Sequence, residues 1–570
     1  MNIKHLTLAI MASLSPFAAH AQVSIEPLAN NKCIIRVAPE TKEKYLLLPI
    51  EEQAAESHFR VIVNNTQQRT LNVRLAQKKV DYYVPMELDE FRGKNLVLFT
   101  HVNGEKPDNS IILKEVKLSD TFDTTNRETY RPDYHFTPSY GWMNDPNGMF
   151  YLNGKWHLFY QYGPYGSMWN NMTWGHAVTE DLIHWTHLKP AILPDAHGQI
   201  FSGSCIVDKD NTAGFGKGAV IAMYTSAGEV QSQSIAYSTD GGMTFKVYEG
   251  NPVLTADIAD FRDPNMFWYE PTQKWVLVMS AGQEDRIYSS PDMKHWTEES
   301  RFGTGLGSHG GVWECPDLMQ LPIVNRKSSN RKSSNGKSSN CKSSNCQMKW
   351  VMYCNINPGG PAGGSATQYF IGDFDGHKFT VDDEARYADG RALWQDYGKD
   401  HYATVSFSNA PGGRHTMIAW MSNWQYANNV PTMQYRSANS ICREPYLYYG
   451  ADKKLYLGSK PSPEYDGKGL DKTVKISGSC TVTLSNKEGE EFRIIYDQKK
   501  MTLTCDRSKS GKTDFSQDFA VNSVAPVHNK LKSLRIFIDN SSVEVFGNNG
   551  EVVMTNIVFP QSTSRSTNAT

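Results

Sequence analysis

Thr179-Glu180-Asp181-Leu182-Ile183-His184-Trp185 is a phrase that this chain repeats. It returns as Ser238-Thr239-Asp240-Gly241-Gly242-Met243-Thr244-Phe245, and again as Ser289-Ser290-Pro291-Asp292-Met293-Lys294-His295-Trp296. A looser copy is Asp373-Phe374-Asp375-Gly376-His377-Lys378-Phe379. Each copy is a turn centred on Asp, Gly or Pro and followed by an aromatic residue. Apolar runs with strand character precede the copies, such as Val220 to Tyr224 and Trp275 to Ser280. The step is about 50–60 residues, except for the last, which spans an insert. A strand repeat of that period predicts a β-propeller, and about 320 residues of it, 127–455, predict five blades.

The flanks read as further strands, so the fold class is all-β. Residues 22–126 hold short apolar runs, among them Cys33 to Val37, Phe59 to Val63 and Leu96 to His101, and predict a small N-terminal β-sandwich. Residues 456–570 predict a C-terminal β-sandwich. There Ser533 to Ile538 turns through Asp539-Asn540 into Val543 to Phe546, and Asn548-Asn549-Gly550 signals a hairpin. The insert at 325–347 is built on Lys-Ser-Ser-Asn, lacks large apolar side chains and cannot bury a core.

Lys4 and His5 precede an apolar run from Leu6 to Ala19, and Ala19-His20-Ala21 supplies the small residues of a cleavage site. Residues 1–21 therefore predict a signal peptide, export to the periplasm or the exterior, and Gln22 as the first mature residue. No later run reaches the ~18 apolar residues that span a bilayer. The 570 residues carry a formal charge of −2, which gives no footprint for nucleic acid. Nine Cys with no CxxC spacing do not form a disulfide framework. His184 and His187 lack an accompanying Glu motif, so neither a metal nor another cofactor is expected.

Three carboxylates stand in aromatic or conformationally fixed surroundings. Asp145 lies in Trp142-Met143-Asn144-Asp145-Pro146-Asn147-Gly148, where Pro and Gly fix a bend and Trp142 offers a flat face for a sugar ring. Asp263 lies in Phe261-Arg262-Asp263-Pro264, whose adjacent side chains should point to opposite sides of an extended strand. Glu314 lies in Trp313-Glu314-Cys315-Pro316-Asp317, an apolar setting that would suit a general acid. Taken singly, each also reads as a turn cap or a surface charge. Together they precede predicted strands at the starts of the first, third and fourth repeats, where they would converge on one channel.

These residues resemble the invertase–levanase–inulinase family of glycoside hydrolases. Gln161-Tyr162, Trp174-Gly175-His176-Ala177, Phe201-Ser202-Gly203, Asp396 to Asp400, Tyr402-Ala403 and Arg443-Glu444 follow in the family's order. The resemblance implies a five-bladed propeller with a C-terminal sandwich and a β-fructofuranosidase activity. It implies Asp145 as nucleophile, Glu314 as acid/base and Asp263 as transition-state stabiliser. Asn144, Gln161, Trp169, Phe201, Ser202 and Arg262 would line the fructose subsite, with Trp142 and Trp424 as walls. The partner would be a fructose-containing oligo- or polysaccharide (levan, inulin or sucrose), cleaved from the chain end. The N-terminal segment resembles an extra domain of fructan-degrading enzymes in gut Bacteroidetes. Gly163 and Cys442 depart from the pattern, which has Asn and Pro there, and the insert follows Glu314 closely enough to approach the pocket rim. A fructosyltransferase would use the same residues. A fructan-binding protein would need no acid pair.

Overall fold

The computed structural model describes residues 22–101, 111–125, 127–324, 347–563 and 566–569. The segment read as a signal peptide and nearly all of the Lys-Ser-Ser-Asn insert lie outside the described residues. The chain divides into two compact units, one ending at Phe122 and one beginning at Asp123. In the first unit, one sheet orders Val23–Leu28, Lys32–Val37, Leu96–His101, Ser57–Val63 and Thr66–Val73, and a second joins Tyr82–Glu87, Tyr45–Ile50 and Lys117–Ser119. Ser57–Val63 alternates buried and open positions, the two-residue period of a half-covered strand.

The second unit opens with five successive antiparallel sheets among the described residues. Their first strands are Gly141–Leu152, Gln199–Asp208, Phe261–Tyr269, Val312–Pro322 and Tyr402–Ser406. Each first strand packs against the next, and the fifth packs against the first, so the sheets form the ring of a β-propeller. Tyr435–Arg436, from the fifth repeat, pairs in parallel with Gly141 and Trp142 and closes the ring.

The recurring phrase falls between the third and fourth strands of the first four sheets. Its Asp is what makes the turn. Asp181 Oδ1 accepts the amides of Ile183 and His184 at 3.0 and 2.8 Å. Asp240, Asp292 and Asp375 each do the same for two amides of their own turns. A carboxylate that satisfies two otherwise orphaned N–H groups explains why this residue type recurs. The fifth sheet has a degenerate copy, in which Asp452 accepts the Lys454 amide and the Tyr456 hydroxyl.

Two further sheets follow, and they share one core, with Ile494, Leu503 and Cys505 from one facing Leu534, Ile536 and Val545 from the other. This C-terminal sandwich is fastened to the propeller by buried charges. Arg443 donates to Asp396 Oδ2 at 2.8 Å, to Thr555 Oγ1 at 2.5 Å and to Glu544. His135 lies between Asp539 and Glu544 at 2.8 Å from each. Arg507 is paired with Asp400. The Asp396 to Asp400 and Arg443-Glu444 motifs thus build this junction rather than the cavity described below. No helix among the described residues is long and apolar enough to cross a membrane.

Candidate active site

The first strands share one irregularity. In each, two residues oppose a single residue of the second strand, which is a β-bulge. The pairs are Asn144-Asp145, Phe201-Ser202, Asp263-Pro264, Cys315-Pro316 and Ala403-Thr404. A bulge breaks the two-residue alternation and re-aims side chains. Asp263, Cys315 and Ala403 have φ of 66°, 42° and 52°, the left-handed region. For non-glycine residues this conformation costs roughly 1–2 kcal/mol each. Contacts in the ring offset that cost at Asp263: its amide donates to Thr225 Oγ1, and its Oδ2 accepts the Cys315 amide, both at 3.0 Å.

The bulges of the first three sheets, and Glu314 just ahead of the fourth, face one cavity of about 370 Å³. Asn144, Asp145, Gln161, Trp169, Phe201, Ser202, Arg262, Asp263, Glu314 and Trp424 line it, together with Gln231 and Asp260. Ten of the sequence-predicted residues therefore meet at one place.

The acids lie within their strands rather than ahead of them. Asp145 Oδ2 accepts from Ser202 Oγ at 2.8 Å, and its Oδ1 accepts from Asn144 at 3.0 Å. Cys315 Sγ approaches Asp145 Oδ2 at 3.5 Å and Asp263 Oδ2 at 3.4 Å. Glu314 Oε1 accepts from Arg262 Nε and Nη2 at 3.1 and 3.0 Å, and its Oε2 accepts from the Tyr402 hydroxyl.

Burial holds the Asp145 carboxyl above the usual carboxylate range, Glu314 adds to this, and the donors Ser202, Asn144 and Cys315 oppose it. Burial also pushes Asp263 up to about 7, with Glu314 and Asp145 reinforcing the effect against the pull of Arg262. Glu314 departs from the apolar setting that its neighbours suggested: its side chain keeps an exposure of 21% and has a cation beside it.

Other expectations also change. Trp142 is fully buried and forms no wall of the cavity. It lies beneath, donating from Nε1 to Asn144 Oδ1 at 2.8 Å and stacking on Trp424 at 5.8 Å. Arg262 and Asp263 do not diverge; both line the cavity, because the bulge begins between them. Four of the five guanidinium N–H groups of Arg262 are committed, to Glu314 twice, Asp260 and Gln231, which leaves one for a ligand. The insert is attached where Pro322 pairs with Met348, at the far end of the hairpin from Glu314. Eight residues of strand put that point roughly 26 Å from Glu314, and the course of the insert beyond it lies outside the described residues. Gly163 is explained by space, since a β-carbon there would lie 2.5 Å from the Asn170 carbonyl oxygen.

Gln231 and Asp260 carry no signal that sequence reasoning used, and Tyr402 stood in the Tyr402-Ala403 motif without being read as a site residue. Asp260 stands two residues before Arg262, and that spacing on a strand was the available clue. Among the described residues, no group of three His, Cys, Asp or Glu side chains could hold a metal ion.

Residues 135–459 match the model of the glycosyl hydrolases family 32 N-terminal domain, and 452–570 match its C-terminal counterpart. Residues 29–134 match a domain of unknown function, DUF4980. The chain is 43% identical over 483 residues to a levanase of Bacillus subtilis, covering 77% of this chain and 68% of the relative. It is 37% identical over 505 residues to an extracellular exo-inulinase of Aspergillus awamori, covering 76% and 90%. The crystal structure of an exo-inulinase from the same fungus superposes with a TM-score of 0.68 at 34% identity, covering 79% of this chain and 96% of that one.

Proposed function

Because the chain belongs to family 32 of the glycosyl hydrolases, we propose that it is an exo-acting, retaining β-fructofuranosidase that releases fructose from levan, inulin or their oligosaccharides, with sucrose as a further substrate. The observation that carries this reading is the convergence of Asp145, Asp263 and Glu314, from three different sheets, on one cavity of about 370 Å³. A pocket of that size, rimmed by Trp169, Phe201 and Trp424, suits one terminal sugar ring.

Asp145 attacks the anomeric carbon as Glu314 gives its proton to the departing oxygen. The C–O bond to the leaving sugar breaks and an ester to Asp145 forms. Glu314 then takes a proton from water, which displaces Asp145 and restores the original configuration. Asp263 accepts hydrogen bonds from fructose hydroxyls and strengthens them as positive charge builds on the ring. Ser202 and Asn144 hold the Asp145 carboxylate for attack.

On this reading the five sheets are five blades, within boundaries near 127–455, and 456–570 is the sandwich fastened to them. Residues 22–126 form a separate small sandwich. The leader at 1–21 exports the protein, in keeping with the extracellular exo-inulinase it resembles.

A time course on levan and on inulin tests the reading. Fructose should be the first product, and NMR of the nascent sugar should show the β-anomer. Early oligosaccharides would overturn exo action, and an α-anomer would overturn retention. Asp145→Ala should lower kcat by on the order of 10³-fold or more. Persistent turnover of all three substrates would remove Asp145 from the mechanism.

A further inference from the structure

Asp260 and Gln231 are the cavity residues for which the mechanism above has no use. Both act on one group. Arg262 Nη1 donates to Asp260 Oδ1 at 2.6 Å and to Gln231 Oε1 at 3.2 Å. The same Gln231 oxygen accepts the Phe261 amide at 3.0 Å, so it ties the backbone beside Arg262 as well as its side chain. On its other edge, Arg262 holds Glu314 Oε1 with two N–H groups. A guanidinium is a rigid planar fork. Fixing its Nη1 corner therefore fixes the direction of the edge that faces Glu314.

We propose that Asp260, supported by Gln231, is a positioning residue that sets the acid/base work of Glu314 through Arg262. This rests on the role given to Glu314 above. The argument is geometric and electrostatic. Without the Nη1 anchor, Arg262 would be free to rotate, and Glu314 would lose the register of its Oε1. Asp260 also sets a negative charge against the far side of Arg262. That charge draws the guanidinium to the Asp260 side and holds its plane in line with Glu314.

The charged and titratable groups that face Arg262 and Glu314 come from four sheets. They are Asp145 from the first, Asp263 and Asp260 from the third, Cys315 from the fourth and Tyr402 from the fifth. All four acids among them, including Glu314 itself, line the cavity, and the roles of Asp145, Asp263 and Glu314 are already assigned. Asp260 has a side-chain exposure of 40% at the rim, so replacing it opens no core.

The experiment compares Asp260→Asn and Asp260→Ala with the full-length wild type. One substrate is whichever of levan, inulin or sucrose the wild type cleaves fastest. The other is β-D-fructofuranosyl fluoride, whose fluoride departs without a proton. Asp260→Asn keeps an acceptor and removes the charge. It should therefore keep more of kcat/KM on the sugar substrate than Asp260→Ala does, because the contact with Arg262 Nη1 survives. Asp260→Ala should lose about tenfold in kcat/KM on the sugar substrate and none on the fluoride, because kcat/KM covers only formation of the fructosyl-enzyme. Unchanged kcat/KM on the sugar substrate in Asp260→Ala would overturn the proposal. So would equal losses on both substrates, which mark simple damage to the pocket. Glu314→Gln is run beside them. Full sugar turnover in that variant would remove the premise itself, whereas an inactive Glu314→Gln with an unaffected Asp260→Ala would remove only the inference about Asp260.

Discussion

Ser202 Oγ donates to Asp145 Oδ2 at 2.8 Å and so ties the bulge of the second sheet to the bulge of the first. The bond favours the ionised carboxylate, which burial and Glu314 disfavour. Ser202→Ala should therefore move the acid limb of kcat/KM to higher pH. Turnover at the wild-type optimum should fall roughly tenfold, since one charge-assisted hydrogen bond is worth about 1.5–3 kcal/mol. A pH–rate profile checks this, and an unmoved acid limb would show that Ser202 does not act on Asp145.

Trp142 works from below the cavity. Trp142→Phe keeps most of the ring volume and removes the Nε1 donor, which leaves the buried Asn144 oxygen without its partner. Stability should drop by about 1–3 kcal/mol. The Asn144 amide that holds Asp145 should shift with it, and kcat/KM should decline roughly tenfold. Urea unfolding and steady-state kinetics on the same preparation separate the two effects.

The junction with the C-terminal sandwich rests on Arg443, which is fully buried between Asp396 and Glu544. Arg443→Met should leave those carboxylates uncompensated and cost about 3–5 kcal/mol. Calorimetry should show a lower melting temperature. At temperatures where the variant stays folded, kcat on sugar substrates should match wild type, because the residue does not line the cavity.

His135 gives the same junction a pH dependence. Burial alone would lower its pKa, but hydrogen bonds to Asp539 and Glu544 outweigh that and raise it to about 9. An unfolded chain would hold this proton only to about pH 6.5. A raised folded-state pKa means the stabilisation is fully present below about pH 6.5, declines as pH rises, and is gone above about 9. It amounts to on the order of 3 kcal/mol. Melting temperatures measured from pH 6.5 to 9.5 should fall in wild type, and the slope should flatten in His135→Gln.

The order of the elements was legible in the chain because turns are local. Asp181, Asp240, Asp292 and Asp375 satisfy amides two to four residues away, so their spacing alone marks the repeat. The acids were legible for a related reason: Pro146, Pro264 and Pro316 follow at or beside the bulges that present them. What failed was the two-residue alternation, which the bulges interrupt. It sent Arg262 and Asp263 to opposite faces, although they share one. Trp142 failed for another reason, since sequence does not say which side of a strand the ring will cover.

The chain by itself determined that strands recur at a propeller's period and that an acid stands early in the first, third and fourth repeats, which follows from local hydrogen bonding and residue type. That these acids belong to a hydrolase of β-fructosyl bonds came from the order of motifs that resembles a known family. Only the tertiary structure decided which groups stand around each acid. Asp145 meets Ser202 across 57 residues, Glu314 meets Arg262 across 52 and Tyr402 across 88. Contacts at such separations exist only once the ring has closed, and they set which carboxyl is enclosed, which is braced, and which protons each can hold.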